Sequence, residues 1–215
     1  MTEDPRALRS AWARKYALER APWRGTARLP RDVEARLSAL APGARVLEVG
    51  AAGGKTLAAV RRLAPAAVAL DWAAPAPRDP RWVAGDATRL PFRDGAFDAV
   101  LLVHVLGHLP RALRARAARE AWRVAARGAL VHAEVFAAGD QRDGKGAPAG
   151  EPGSFLREGG LFHHYFTAGE LAALFPAPGH VALALDERRH RGAPARRARW
   201  LGTWTVPGWA PERWV

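Results

Sequence analysis

The segment Val46–Thr56 reads VLEVGAAGGKT and has the residue types of a loop that binds a nucleotide-like ligand. A strand that runs into a glycine-rich turn and then into a helix presents backbone N–H groups to such a ligand. Gly50 and Gly54 lack a Cβ atom, so the backbone can approach the ligand closely there. The pattern departs both from G-x-G-x-x-G and from the P-loop. Glu48, in the strand end, favours a ligand with an ammonium group over one with a pyrophosphate.

Two further acids stand at the ends of predicted strands. Asp71 ends the second strand, where an acid reaches the ribose hydroxyl groups of a nucleotide cofactor. Asp86 lies just past the third strand, in AGDATRLPF. Trp72 follows Asp71 directly, and either stacks on the ring system of the ligand or packs in the core. Because the carboxyl ends of parallel strands meet at one edge of a sheet, these side chains are expected to lie close together.

Two histidines, His104 and His108, flank the tip of the fourth predicted strand in VLLVHVLGHL. Histidine is the natural proton acceptor near neutral pH, so both are candidates for catalysis. The alternative for His108 is a hydrogen bond to a helix end. Their i, i+4 spacing also leaves a metal site open, although no third ligand lies nearby in the sequence.

Apolar strands alternate with helical segments after residue 44, which predicts a mostly parallel sheet with helices on both faces. Strands are predicted at Arg45–Val49, Ala67–Leu70, Trp82–Ala84, Phe97–Val103, Ala129–Val135, Val181–Leu185 and Trp200–Val206. Helices are predicted at Arg6–Arg20, Asp32–Leu40, Lys55–Leu63, Arg111–Arg127 and Thr167–Phe175, the last with a capping box. We expect a helical N-terminal cap over 1–43 and one domain over 44–215. A Gly/Pro-rich lid loop is expected over 137–160.

The chain carries a net charge of +12 and no cysteine, which excludes disulfide frameworks and thiolate metal sites. No apolar stretch is long enough to cross a bilayer, and the N-terminus lacks the apolar segment of a secretory signal. A cytoplasmic protein without membrane association is therefore expected. The charge fits a polyanionic partner such as RNA. It fits equally the composition of a GC-rich genome, because nearly all basic residues are arginine, and the scarcity of Asn, Gln, Cys and Met indicates a thermophile.

The glycine-rich loop resembles motif I of class I methyltransferases that use S-adenosylmethionine (SAM), with Ala52 where that family usually has glycine. DGAFDAVLLVHVLGHL at 94–109 resembles the family's fourth-strand signature, and Asp86 stands where the family contacts the adenine amino group. The resemblance covers about residues 44–206. It implies a Rossmann-like α/β fold with a seven-stranded, mostly parallel sheet, SAM as the cofactor and methyl transfer as the reaction. The cofactor contacts that it implies are Glu48, Gly50, Ala51, Gly54, Asp71, Trp72, Asp86, Ala87 and Val103.

The second half resembles the tRNA cytosine-N3 methyltransferase branch and its uncharacterised prokaryotic relatives. The shared segments are GDQRDGKG at 139–146, the 151–175 stretch, DERRHRG at 186–192 and RARWLGTWTV at 197–206. The chain departs from this branch where Ala133 and Glu134 replace an Arg-acid pair. Glu134 is expected to stabilise charge on a methylated base, aromatic residues to stack on that base, and arginines to meet phosphates. The catalytic candidates are Glu134, His104, His108 and Tyr165, and the substrate-binding candidates are His164, Phe166, Arg142, Lys145, Arg188 and Arg189.

Two other functions remain open. The first is a methyltransferase for a small molecule bound under the lid. The second is a SAM-binding protein without catalysis, which the alanines at 52 and 133 would fit. A basic face continuous with the cofactor cleft would favour RNA, whereas a closed apolar pocket would favour a metabolite. No tightly bound metal is expected, because methyl transfer from a sulfonium needs no Lewis acid. The methyl acceptor and the oligomeric state do not follow from the sequence.

Overall fold

The computed structural model describes residues 4–18, 28–73, 79–190 and 193–208, with backbone alone at 188–190 and 193–195. The strands of this part are β1 Val46–Val49, β2 Val68–Asp71, β3 Trp82–Ala84, β4 Phe97–Val103, β5 Ala125–Phe136, β6 Ala147–Pro148, β7 Ser154–Arg157, β8 Leu161–His164, β9 His180–His190 and β10 Ala193–Thr205. The helices are α1 Pro5–Leu18, α2 Arg31–Ser38, α3 Lys55–Val60, α4 Arg111–Val124 and α5 Ala168–Ala172, and short 3₁₀ turns span Leu106–His108 and Glu158–Gly160. No helix in these ranges is long and apolar enough to cross a membrane.

The central sheet has seven strands in the described ranges, in the order β3-β2-β1-β4-β5-β10-β9. The strands β1 to β5 pair in parallel, and β10 runs antiparallel to both of its neighbours. The carboxyl ends of β1, β2, β3, β4 and β5 therefore meet at one edge of the sheet. This confirms the expected Rossmann-like fold with a mostly parallel sheet.

Both faces of the sheet are buried, because alternate residues of each strand join different apolar clusters. Leu47 of β1 and Val100 of β4 pack on one face with Trp122 of α4. Val46 and Leu101 pack on the other face, against α2 and α3. Side chains alternate across a strand, so a continuous apolar sequence is what a sheet covered on both sides requires.

The lid is where the structure departs most from the expected organisation. Residues 137–160 were expected as a structureless loop, but β6, β7 and β8 form a small antiparallel sheet that continues to His164. Glycines with positive φ, such as Gly146 and Gly153, supply the sharp turns, and SFLR pairs with LFHH. The hydroxyl of Ser154 lies 2.7 Å from Nδ1 of His164 and ties β7 to β8.

Several element ends also differ from those expected. The helix α4 ends at Val124 rather than at Arg127, because Ala125 already has extended backbone and begins β5. The hairpin of β9 and β10 is longer than expected, since cross-strand pairing extends both strands beyond their apolar residues. The capping box at Thr167 and Glu170 is confirmed, with hydrogen bonds in both directions.

The N-terminal helix α1 lies across the central cleft and touches the lid. Trp12 and Tyr16 are buried in a small cluster with Leu161 of β8. A hydrogen bond from the Arg14 guanidinium to the carbonyl oxygen of Gly159 joins the same two elements. The cleft is thus roofed by a segment that lies far from the sheet in the sequence.

Candidate active site

A cleft of about 680 Å³ opens at the carboxyl edge of the sheet and has two ends. The cofactor end is formed by the residues that follow β1, β2 and β3. The acceptor end is formed by the residues that follow β4 and β5, together with side chains of β10, α1 and the lid. A volume of this size accommodates a nucleoside cofactor and a small second ligand.

Asp71 organises the cofactor end. Its side chain accepts hydrogen bonds of 2.9 Å from the backbone N–H of Ala52 at one oxygen and of Ala73 at the other. Ala52 has a φ of +49°, a left-handed conformation that non-glycine residues rarely adopt. The charge-assisted hydrogen bond that the Ala52 N–H donates to Asp71 compensates for this strain, because it holds the turn in place. Asp71 lines the cleft, where a carboxylate can accept hydrogen bonds from hydroxyl groups.

The two glycines of the loop have different functions. Gly50 has a φ of +75°, and a Cβ atom there would lie 2.7 Å from Cβ of Val105, so only glycine fits. Gly54 has a φ of +77° and begins α3, but it does not line the cleft. Of the expected cofactor residues, Gly54 alone is therefore placed as a helix start rather than as a cleft residue.

Glu48 lines the cleft at the end of β1 and is almost fully buried. Burial and the nearby Asp71 carboxylate raise the pKa of Glu48 to about 8. Its Oε2 atom forms no hydrogen bond in the described part of the chain. A buried carboxyl oxygen without a donor lacks the compensation that such groups normally have. An ammonium group of a ligand would supply that compensation.

Asp86 and Trp72 border the far side of the cofactor end. One oxygen of Asp86 accepts hydrogen bonds of 2.8 Å from both the backbone N–H and the hydroxyl of Thr88. The half-buried Trp72 lines the cleft beside it, together with Ala51, Ala87 and Val103. The structure brings these residues together on one side of the cleft, and their contacts with the adenine and ribose of a nucleoside remain a prediction.

An ionic network forms the floor of the acceptor end. Oε1 of Glu134 lies 3.0 Å from Nε2 of His104 and 2.5 Å from a guanidinium nitrogen of Arg199. Burial would raise the pKa of Glu134, but His104 and Arg199 outweigh it and hold the pKa at about 2. Glu134 is therefore a carboxylate at neutral pH. It orients His104 and offsets the charge of Arg199.

Aromatic rings and histidines form a continuous wall around this network. His104 stacks on Phe136 with 4.6 Å between ring centroids, and His108 meets Phe136 edge-on at 6.0 Å. Trp12 of α1 then packs edge-on against His108 at 4.7 Å. Burial, followed by the nearby His163, lowers the pKa of His108 well below its usual value, so this ring is neutral.

The position of His108 bears on two sequence expectations. Its Nδ1 atom lies 3.0 Å from the carbonyl oxygen of Phe162, so the ring is fixed against the lid rather than at a helix end. Among the described residues, no group of three or more acids and histidines is placed to hold a metal ion. The expectation of no tightly bound metal remains a prediction.

Three residues expected to touch substrate lie away from the cleft. Tyr165, Phe166 and His164 are each at most 2% exposed and pack within the lid and against α4, so they offer no stacking surface to a base. The sequence indicated these residues by their rings, and in the structure those rings pack in the protein interior. Lys145 is exposed outside the cleft, and the side chains of Arg188 and Arg189 lie outside the described residues. Arg142 does line the cleft.

Several cleft residues were not expected from the sequence. Arg197 and Arg199 sit on the same face of β10, which their i, i+2 spacing in RARW would have indicated. Asp140 is buried and binds Arg197. Trp12 and Tyr16 arrive from α1, and no local pattern connects that helix with the cleft.

The residues of the cofactor end fit SAM by the chemistry of their donors and acceptors. Glu48 and Asp71 place two carboxyl groups beside the cleft, and oxygen acceptors of this kind suit the ammonium and hydroxyl groups of SAM. The loop around Gly50 has no room for a Cβ atom and brings backbone close to the ligand.

Comparison with known proteins agrees with this geometry. Residues 47–133 match the family described as "Methyltransferase domain". The chain has a methyltransferase domain. The match begins in β1 and ends in β5, so it contains the glycine-rich loop, the three acids of the cofactor end and the two catalytic histidine candidates. With this domain match the chain is a SAM-dependent methyltransferase, and its fold is the Rossmann-like fold of class I methyltransferases.

Solved structures share the fold at low sequence identity. A SAM-dependent methyltransferase of Methanosarcina mazei is 20% identical, with a TM-score of 0.62 over 84% of this chain and 99% of that one. The 1,6-didemethyltoxoflavin-N1-methyltransferase of Burkholderia thailandensis, solved with 1,6-didemethyltoxoflavin and S-adenosylhomocysteine, is 20% identical. Its TM-score is 0.66 over 94% of this chain and 88% of that one.

A third structure comes from an assembly. A chain from the Haloferax volcanii complex that includes the Trm112 methyltransferase activator is 17% identical, with a TM-score of 0.62 over 94% of this chain and 97% of that one. No curated protein matches the sequence. These likenesses establish the fold, and they leave the methyl acceptor open.

Proposed function

We propose that this methyltransferase transfers the methyl group of SAM to a small planar molecule bound at the acceptor end. The observation that carries the proposal is the continuous ring wall of Trp12, His108, Phe136 and His104. Flat aromatic surfaces select a planar ligand by stacking and by edge contacts. The helix α1 roofs the same space, which limits the size of the acceptor.

The His104–Glu134 pair is assigned to proton uptake. Nε2 of His104 lies 3.0 Å from Oε1 of Glu134, and this carboxylate stabilises the imidazolium that forms on protonation. SAM, when bound, supplies an electrophilic methyl group on a sulfonium. Attack by a nitrogen or oxygen lone pair of the acceptor forms the new bond to that methyl carbon, and the electron pair of the broken carbon–sulfur bond returns to sulfur. The acceptor then loses its proton to the pair.

Most of the rate is expected to come from positioning. The rings fix the plane of the acceptor, and α1 excludes water from the reacting atoms. His108 contributes as a neutral wall residue, because its Nδ1 is already bonded to the lid. The Burkholderia enzyme with the same fold acts on a small heterocycle according to its name, which supports an acceptor of this size.

The direct test uses SAM labelled with tritium on its methyl group. The purified protein is incubated with a metabolite extract and, separately, with total tRNA, and label is counted in each fraction. Label in the small-molecule fraction alone is the expected result. Label that enters only tRNA would contradict the proposal, and the Glu134→Gln variant controls for transfer that does not depend on the site.

The second candidate acceptor is a tRNA base nitrogen. Two observations favour it: the net charge of +12, and the three cleft arginines Arg142, Arg197 and Arg199. The complex that contains the Trm112 activator also includes a chain of the same fold. Against it stands the burial of Tyr165, Phe166 and His164, which removes the stacking surface that an extruded base would need.

A further inference from the structure

Arg142 lines the acceptor end without a counter-charge of its own. Its guanidinium makes no hydrogen bond or ion pair with the part of the chain that the structure describes. The other two cleft arginines are paired: Arg199 with Glu134, and Arg197 with Asp140 at 2.8 Å. Partial burial of an unpaired cation costs free energy, and an anionic ligand bound in the cleft would offset that cost.

Asp140 holds Arg142 in place but does not neutralise it. One oxygen of Asp140 accepts from the backbone N–H of Arg142 at 2.9 Å. The other oxygen accepts from Nε of Arg197 at 2.8 Å and from the backbone N–H of Ala198 at 2.9 Å. The side chain of Asp140 is fully buried, so these bonds pin the 139–146 loop to β10. The guanidinium therefore extends from an anchored backbone, which reduces the ordering cost of binding.

Two charges of the same sign lie near Arg142. Burial and then the neighbouring Arg197 and Arg157 lower the pKa of Arg142, and Asp140, which is already shared, and Tyr165 oppose them. The ring of Phe136 lies beneath the Arg197 guanidinium, with 5.4 Å from Cζ to the ring centroid. An anion attached to a ring that packs on this wall would thus reach a site of positive potential.

We propose that Arg142 binds a carboxylate of the methyl acceptor, so that the acceptor is an aromatic acid rather than a neutral ring. The planar guanidinium donates two parallel hydrogen bonds to a carboxylate, which fixes its direction as well as its distance. Arg142 then fixes the position of the acceptor's carboxylate in the cleft. This inference rests on the proposed function, since it concerns the same small acceptor.

The test measures binding of matched acids and amides by calorimetry to protein saturated with S-adenosylhomocysteine. The pairs are benzoate and benzamide, nicotinate and nicotinamide, and indole-3-carboxylate and indole-3-carboxamide. At least one acid should bind about tenfold to hundredfold more tightly than its amide, the range of charge-assisted hydrogen bonds. Arg142→Gln should abolish that preference, and Arg142→Lys should retain part of it.

The matched control is Arg119→Gln, which removes the same charge from an exposed position on α4 and should keep the full preference. If S-adenosylhomocysteine binds but no acid exceeds its amide, the carboxylate site is wrong and the proposed function stands. A preference that survives in Arg142→Gln also overturns the assignment. If S-adenosylhomocysteine does not bind the wild type, the proposed function fails first and this inference with it. Unchanged S-adenosylhomocysteine affinity in every variant shows that the variants fold.

Discussion

The two ends of the cleft are built on different principles. At the cofactor end, backbone N–H groups and three acids follow successive strands, and the loop from Gly50 to Gly54 is continuous in sequence. At the acceptor end, side chains arrive from α1, β4, β5, β10 and the lid. A backbone-built site depends on turn geometry and tolerates little change. A side-chain-built site can be altered without rebuilding the sheet, which is how one fold serves many acceptors.

The difference in electrostatics follows the difference in construction. Glu48 is a buried carboxyl group with an elevated pKa of about 8, next to another acid. Glu134 is equally buried, yet its pKa is held at about 2 by two cations. A positively charged ligand would compensate Glu48, whereas His104 and Arg199 already compensate Glu134. Each variant below therefore affects one end and should leave the other unchanged.

The largest effect is expected from Glu134→Gln. Loss of the carboxylate removes the partner that orients His104 and stabilises its protonated form, and this matters only during methyl transfer. We expect turnover to fall about 100-fold or more, with S-adenosylhomocysteine affinity unchanged. Steady-state kinetics and calorimetry measure the two quantities. Glu158→Gln, at an exposed position of the lid, is the control, and a matching loss in it would refute the assignment.

Gly50→Ala tests the backbone-built end. The new Cβ atom would lie 2.7 Å from Val105 in a left-handed backbone conformation, so the free energy of unfolding should fall by about 2–3 kcal/mol. Gly53→Ala is the matched control, since a Cβ atom there meets nothing within 4 Å. Urea unfolding of both variants decides the point. Equal stability of the two would show that Val105 yields without cost.

Asp71→Asn should weaken cofactor binding by a smaller amount. The amide keeps the shape of the side chain but loses the charge that strengthens its hydrogen bonds with Ala52 and Ala73. S-adenosylhomocysteine affinity should fall by about 1–2 kcal/mol. Asp98→Asn removes an acid paired with Arg45 outside the cleft, and should leave that affinity unchanged. Equal losses in both variants would point to a general effect of charge.

The last prediction is a pH dependence of stability at Glu48. Its pKa in the folded protein is raised to about 8, from an ordinary value of 4.5. The folded state therefore holds more protons than the unfolded state between these values. The ligand-free protein should lose stability as pH rises from about 5 to 8, by at most about 1.4 kcal/mol per pH unit. Unfolding of the wild type and of Glu48→Gln at pH 5.5 and 7.5 measures this. The free energy of unfolding should change less with pH in Glu48→Gln than in the wild type, and identical slopes would contradict this prediction.

The contrast between the two ends also explains which site residues could be predicted from the sequence. Glu48, Asp71 and Asp86 were found because strand ends in a parallel sheet meet at one edge, so chain order alone places them. The partner of Glu134 was missed because Arg199 lies across an antiparallel pairing whose register is set by tertiary packing. The prediction that Tyr165 contacts the substrate was wrong because tertiary packing also decides whether its ring is covered. An aromatic residue serves the core or a ligand according to which face is covered.

The roof formed by α1 has a consequence for the order of events. Tyr16 lies near Asp71 at the cofactor end: burial raises the pKa of Tyr16 most, and the Asp71 carboxylate raises it further. Trp12 packs on His108 at the acceptor end. One helix thus covers both binding places, so the two ligands share the same roof. We expect compulsory-order kinetics with SAM first and S-adenosylhomocysteine last. Inhibition by S-adenosylhomocysteine should be competitive against SAM and noncompetitive against the acceptor, and a competitive pattern against both would indicate independent entry.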